Sequence, residues 1–279
     1  MVVFVFLVLV VGYAVSYYYG SPIILFGAFV FAIIMNFVAY WKSDSVALAL
    51  SGAKKAKEQE YAELHRVVEN LAITAGLPKP KVYIINDPSP NAFATGRDPK
   101  HSAIAVTTGL LNILDRSELE GVLAHELSHI GNRDTLVMTV VVVLVGFLAI
   151  ISDMFWRMGL FSSRDRKGNP ILFFIAIFAI IIAPFIAKLI QLAISRKREY
   201  LADASGALLT RYPEGLASAL EKIKKASIPM QRQSTAIAHL YISEPTQGNQ
   251  KKGFLQKLAL LFDTHPPIDK RIQILREMN

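Results

Sequence analysis

His125-Glu126-Leu127-Ser128-His129 spells H-E-x-x-H, and these five residues carry the most specific chemistry in the chain. On a helix of about 3.6 residues per turn the two histidines share one face, one turn apart, so both imidazoles can reach one zinc ion. Glu126 lies about 100° round the helix from His125, outside the ligand pair but close enough to act as a base on a water at the metal. The same pattern also arises by chance on polar helices. A catalytic zinc takes three protein ligands and keeps one position open. The chain has no cysteine, which rules out disulfides and thiolate zinc sites, so the third ligand must be His, Asp or Glu. The extended pattern with a third histidine fails, because Asn132 and Thr135 stand where its Gly and His belong. Asp134 is about 140° round the helix from His129 and does not join the pair. Glu118 lies two turns back. The best remaining candidate is Arg198-Glu199-Tyr200-Leu201-Ala202-Asp203. Glu199 and Asp203 are i and i+4, so one carboxylate can bind zinc while the other orients a ligand histidine. The alternative is that Glu199 only pairs with Arg196 or another surface cation.

The elements that must position these groups include four uncharged stretches. They are Val2–Tyr19, Pro22–Trp41, Thr135–Ser152 and Pro170–Ala187. Each approaches the ~20 residues that a helix needs to cross the hydrocarbon core. Tyr17–Tyr19, Tyr40 and Trp41 fall where an interfacial aromatic belt would lie. The first stretch lacks a basic n-region and a small-residue cleavage site, which favours an anchor over a cleaved signal. His129 lies about 9 Å of helix before span three, and Glu199 about 6 Å past span four on what should be the same continuing helix. Span three leaves the polar side and span four returns to it. Both motifs therefore emerge on one face of the membrane at similar height, which favours Glu199 as the third ligand. Lys42, Lys54, Lys55, Lys57 and Arg196-Lys197-Arg198 flank the spans and place that face in the cytoplasm. The loop 153–169 then lies outside.

This divides the chain into a two-span hairpin (1–41), a first protease-type segment (42–134), spans three and four (135–195) and a second polar segment (196–279). Of the 279 residues 53% are hydrophobic and 19% charged, which excludes a disordered chain and argues against an ordinary soluble domain. The net charge of +8 fits anionic lipid better than nucleic acid, because basic residues flank the apolar blocks. In the polar segments, Lys54–Ala75 has helical periodicity. Lys81–Asn86, Asn91–Gly96 and Ile104–Thr108 read as strands, with a turn at Asp98-Pro99. Ser117-Glu118-Leu119-Glu120 fits a capping box that starts the His125 helix, which nothing breaks before Gly131. Pro213–Ala226 reads as a further helix. The fold class is an integral membrane α-helical protein with a cytoplasmic, mainly α metalloprotease-like domain carrying a small β-sheet, a zincin-like α+β arrangement.

Taken with Asn91–Gly96 and Thr264-His265-Pro266, the His125–His129 and Glu199–Asp203 motifs resemble the HtpX-type membrane zinc metalloproteases, relatives of the CAAX prenyl proteases. The resemblance covers nearly the whole chain. It implies one zinc ion per chain on His125, His129 and Glu199, with Glu126 as catalytic base and Asp203 behind the ligands. It implies polypeptide substrates, above all damaged or misassembled membrane proteins, and a part in quality control and the stress response. It also implies that Asn91, Ala92, Phe93 and Ala94 bind substrate as an edge strand. The segment alone reads more readily as an inner strand paired with Ile104–Thr108. For His265 the resemblance implies help to the oxyanion, whereas the residue alone, before two prolines, reads as structural. His239 reads as structural, and His65 and His101 as solvated. Rival functions are a prenyl-protein protease, expected to enclose its site with more than four spans, and a non-catalytic zinc scaffold, which would not need Glu126. A metal transporter would carry ionisable ligands inside its spans, and these have none.

Overall fold

The computed structural model describes residues 2–138, 140, 195–226, 228, 230, 240–242 and 266–278. Spans three and four beyond residue 140, the loop 153–169, His239 and His265 lie outside these residues.

Two uncharged helices open the chain, α1 (Val2–Tyr19) and α2 (Pro22–Trp41). Their bounds are those expected from the apolar blocks. Gly20 adopts a left-handed φ of 63° in the turn, and Ser16 Oγ donates to the Ser21 carbonyl across it. The helices pack as an antiparallel hairpin, with Gly12 seated against Ala28; a β-carbon at Gly12 would lie 2.5 Å from that of Ala28. Counting only residues whose side chains are described, no helix is long and apolar enough to cross a membrane.

After α3 (Ser43–Ser51) the expected helix over Lys54–Ala75 forms only in its second half. Lys54–Lys55 is instead a short strand, β1, and the helix is α4 (Ala62–Thr74). The reason lies in the pattern: Leu64, Val67, Val68, Leu71 and Ala72 give α4 a buried face, whereas residues 54–61 offer only Ala56 and Tyr61 for such a face. Their backbone bonds go to the sheet, where Ala56 N–H reaches the Val82 carbonyl at 3.0 Å. His65 is buried rather than solvated, its Nε2 3.1 Å from the Ala56 carbonyl. His101 is half exposed beside Asp98.

The remaining strands are β2 (Lys81–Ile85), β3 (Ala92–Asp98) and β4 (His101–Thr107). The order is β1-β2-β4-β3, with β2 parallel to β4 and the other pairs antiparallel. The sheet is therefore mixed, and among the described residues β3 is an edge. Alternation divides its side chains between two cores. Val82, Ile84, Ala92, Ala94, Ile104 and Val106 join the larger one under the helices. Ile85, Phe93, Ala103 and Ala105 face a smaller one with α3, Met138 and Tyr241. The helices of the larger core are α4, α6 (Arg116–Gly131), α7 (Arg196–Thr210), α8 (Pro213–Ala226) and α9 (Ile268–Arg276), with the short α5 (Thr108–Ile113) leading out of β4.

Candidate metal centre

The N-cap of helix α6 lies two residues before the expected one. Asp115, not Ser117, is the N-cap, and its carboxylate and that of Glu118 complete the capping box. Ser117 instead donates to Asp115 Oδ1, which fixes the capping carboxylate. The helix ends at Gly131, as expected. Its apolar residues Val122, Leu123, Leu127 and Ile130 are buried on several sides, which draws His125, Glu126 and His129 inside as well (1, 2 and 4% exposed).

Helix α7 does not continue span four. Ser195 is extended (φ −61°, ψ 123°), and a new helix starts at Arg196 with Glu199 in its first turn. The Ser195 side chain makes no capping hydrogen bond; its carbonyl accepts the Arg198 and Glu199 N–H groups, and the early acidic Glu199 suits the first turn. The axes of α6 and α7 come close because position 206 is glycine. A β-carbon there would lie 3.0 Å from His125 N and 3.2 Å from His125 Cα. Gly121 gives α8 a similar seat, at 2.6 Å from Leu216 N.

This packing brings His125, His129 and Glu199 together, with one ligand atom from each inside a 4.8 Å triangle. The two Nε2 atoms are 3.2 Å apart. Glu199 Oε1 is 3.5 Å from Nε2 of His129, and its Oε2 is 3.8 Å from Nε2 of His125. Two nitrogens on one tetrahedral zinc, at bond lengths of about 2.0–2.1 Å, would be about 3.3 Å apart. The donor set thus fits the ion in type and spacing. Among the described residues, the carboxylates of Asp134, Glu199 and Asp203 face the guanidinium groups of Arg198 and Arg271.

Each histidine is held from behind. His125 Nδ1 donates to Asp203 Oδ1 at 2.9 Å, and His129 Nδ1 donates to Asp134 Oδ2 at 3.1 Å. Fixing the proton on Nδ1 turns the Nε2 lone pairs to the same point, the arrangement that metal-binding histidines need. Burial opposes a charged His129, but the Asp134 hydrogen bond and the charges of Glu199 and Glu126 outweigh it and raise its pKa to about 8. Burial would likewise raise Asp203, yet the Arg271 guanidinium and His125 hold it at about 2. Burial pushes Glu126 up, against the opposing pull of His125 and His129; its carboxylate also accepts the Ala94 backbone N–H.

Asp203 thus lies where its expected role requires. Of the four expected substrate-strand residues, the structure brings only Ala94 to the site. Asn91 precedes β3 and is tied to Thr107, and Phe93 points into the smaller core against Tyr241. The Ala92 carbonyl already accepts the Ile242 N–H at 3.1 Å. Two residues escaped the sequence reading. Asp134 returns to His129 because Arg133 takes a left-handed φ of 60° and the chain turns back into helix at residue 134. Arg271 of α9 reaches Asp203 from the far end of the chain.

The sequence pattern of Peptidase family M48 matches residues 58–279. The chain belongs to peptidase family M48. It is 46% identical over 286 residues to the Protease HtpX homolog of Caldanaerobacter subterraneus subsp. tengcongensis, covering 99% of this chain and 92% of that one. It is 50% identical over 256 residues to the homolog of Pyrococcus furiosus, covering 90% and 85%. The crystal structure of S. mikatae Ste24p shares the fold, with a TM-score of 0.52 at 20% identity; the match covers 95% of this chain and 65% of that protein's length. The HtpX-type resemblance read from the motifs is borne out. As an M48 peptidase the chain is a metalloprotease, and its substrates are polypeptides.

Proposed function

We propose that this metalloprotease is a membrane-bound zinc endopeptidase of protein quality control. The observation that carries the reading is the His125–His129–Glu199 triangle beside a buried Glu126 that is bonded to β3, an edge strand among the described residues. In the proposal these three residues hold one zinc ion, Asp203 and Asp134 orient the histidines, and Glu126 is the base. Zinc, when bound, polarises the scissile carbonyl and acidifies water at its open position. Glu126 accepts the proton of the attacking water and returns it to the leaving amine, a role that its burial and raised pKa suit. Ala94 anchors that carboxylate through its N–H, and β3 is the strand beside which an extended substrate would add by main-chain pairing, without demanding a particular sequence. His265, following the resemblance, assists the oxyanion.

The hairpin supports a membrane setting. Its large apolar side chains turn outward: Ile23 is 78% exposed, Phe26 69%, Phe6 64% and Phe37 61%. A surface like that needs lipid or protein around it. At the end of α2, Arg97 of β3 stacks over the Trp41 ring at 4.3 Å. This fastens the edge strand to the hairpin and favours substrates presented at the bilayer. The protease is then assembled from 42–134 and 196–279, on either side of spans three and four (135–195). The exposed Lys42, Lys54, Lys55 and Lys57 favour a cytoplasmic site by the positive-inside rule.

The test is proteolysis of an unfolded membrane-protein substrate in detergent, with metal content measured alongside. Glu126→Gln should keep one zinc per chain and lose at least 10²–10⁴-fold in turnover, the usual worth of a general base. Undiminished cleavage by this variant would remove Glu126 from the mechanism, and loss of its zinc would make it a ligand.

A further inference from the structure

Arg271 is fully buried, and buried arginines occur almost only with defined partners. Its Nε and Nη2 donate to the two oxygens of Asp203 at 2.8 and 2.7 Å, a bidentate pair. Its Nη1 donates to the Ile242 carbonyl at 3.3 Å and lies 3.7 Å from Glu199 Oε2. Nη2 also lies 3.5 Å from His125 Nδ1, and beyond these direct approaches to the ligands two relayed lines of contact start from the guanidinium. One runs through Asp203 to Nδ1 of His125. The other runs through Ile242, whose N–H donates to the Ala92 carbonyl on the side of β3 away from β4.

We infer that Arg271 is a positioning residue that sets the metal ligands and the substrate edge in one register. This rests on the metal centre proposed above. Asp203 Oδ1 is shared between His125 and Arg271, so the angle of the carboxylate, and with it the plane of the His125 ring, depends on the planar fork. A lysine would supply the charge without the fork. Ile242, held from its carbonyl side, occupies the β3 edge at Ala92, so an incoming strand has to pair beyond that point. Arg276, one turn and a half along the same helix, makes a contrast: its partners Glu214 and Glu221 are part-exposed surface groups. The charge on α9 that faces inward is the one that the active centre uses.

The experiment uses the full chain in detergent with zinc as the probe. Zinc affinity is measured by chelator competition, together with KM, kcat and the melting temperature of the metal-free protein. Arg271→Lys should weaken zinc by about 10–100-fold, the usual cost of losing the group behind a ligand, and raise KM. In an Asp203→Ala background the same substitution should cost less further zinc affinity than it does alone, because the bidentate pair with that carboxylate is the arginine's shortest route to the ligands, while Glu199 at 3.7 Å and His125 Nδ1 at 3.5 Å are its longer direct contacts. The double variant leaves a buried ammonium with only Glu199 nearby, so its melting temperature is read beside its zinc affinity. A role in folding alone would lower the melting temperature without moving the zinc affinity of the folded protein. Unchanged affinity in Arg271→Lys, or losses that multiply in the double variant, would overturn the inference while the metal centre stands. A wild-type protein that binds no zinc would overturn both.

Discussion

Gly206→Ala tests whether the gap between α6 and α7 sets the geometry of the metal centre. The added methyl would lie 3.0 Å from His125 N, 3.2 Å from His125 Cα and 3.3 Å from the Ala124 carbonyl carbon. Non-bonded heavy atoms prefer about 3.5–4.0 Å, so α7 has to retreat by about 0.5 Å. The contacts are backbone, which cannot swing aside as a side chain would. Asp203 sits one turn before position 206 and Glu199 two turns before it, so both move with the helix. The 2.9 Å bond from His125 to Asp203 would stretch to about 3.4 Å, past the usual hydrogen-bond range. The Glu199 separations of 3.5 and 3.8 Å would lengthen as well. Metal sites tolerate errors of about 0.2 Å, so zinc affinity should fall by at least 10–100-fold, or about 1.4–2.8 kcal/mol. Stability should change less. Overpacking costs about 1–3 kcal/mol, and replacing a mid-helix glycine returns about 0.5–1 kcal/mol. Chelator competition and thermal melting of the metal-free protein separate the two effects. Gly131→Ala is the control, since its methyl would meet only the Leu77 Cδ1 at 3.4 Å. Wild-type zinc affinity and turnover in Gly206→Ala would refute the claim that this contact positions the ligands.

Three further outcomes follow from the same geometry. Glu199→Ala should lose most bound zinc on atomic absorption; normal loading would put the third ligand elsewhere. Asp134→Ala should weaken zinc by about 10–100-fold, because His129 loses the acceptor that fixes its Nδ1 proton; equal chelator competition curves would remove Asp134 from the site. Ala94→Pro deletes the single edge N–H of β3 that Glu126 accepts and puts a proline ring where a substrate strand would pair. In a folded, zinc-loaded protein it should lower kcat as well as raise KM, and unchanged kinetics would argue against substrate pairing at this edge.

Much of the centre was legible because its signals are local. H-E-x-x-H implies its own geometry once the helix is granted, and that helix has a cap and an apolar pattern to support it. The i, i+4 carboxylates of Glu199 and Asp203 work the same way, although α7 starts afresh at Arg196 instead of running on from span four. Asp134 was lost for a definite physical reason. Helical extrapolation puts it about 140° from His129. One left-handed residue, Arg133, cancels that extrapolation and returns the carboxylate to the ring. A positive φ at a residue other than glycine or asparagine leaves little trace in a sequence. Arg271 was hidden differently. In sequence it is one of two arginines on a short amphipathic helix, and only packing distinguishes it from Arg276 on the surface.

The helices that carry the centre also explain why glycine matters here beyond turns. The ligands come from α6 and α7, and their positioning partners from α7, α9 and the residues just beyond α6. No single helix can correct an error in another, and a buried carboxylate that loses its partner is costly. The spacing has to be set by contacts that do not yield, and backbone against backbone is the least yielding contact that a helix offers. Gly206 against His125 sets α7, and Gly121 against Leu216 sets α8, which in turn supports α9 through the core. Alanine at either seat would still give a good helix and a buried core. What would go is the few tenths of an ångström on which an aligned pair of imidazoles depends, so at these two positions the demands of folding and of chemistry separate.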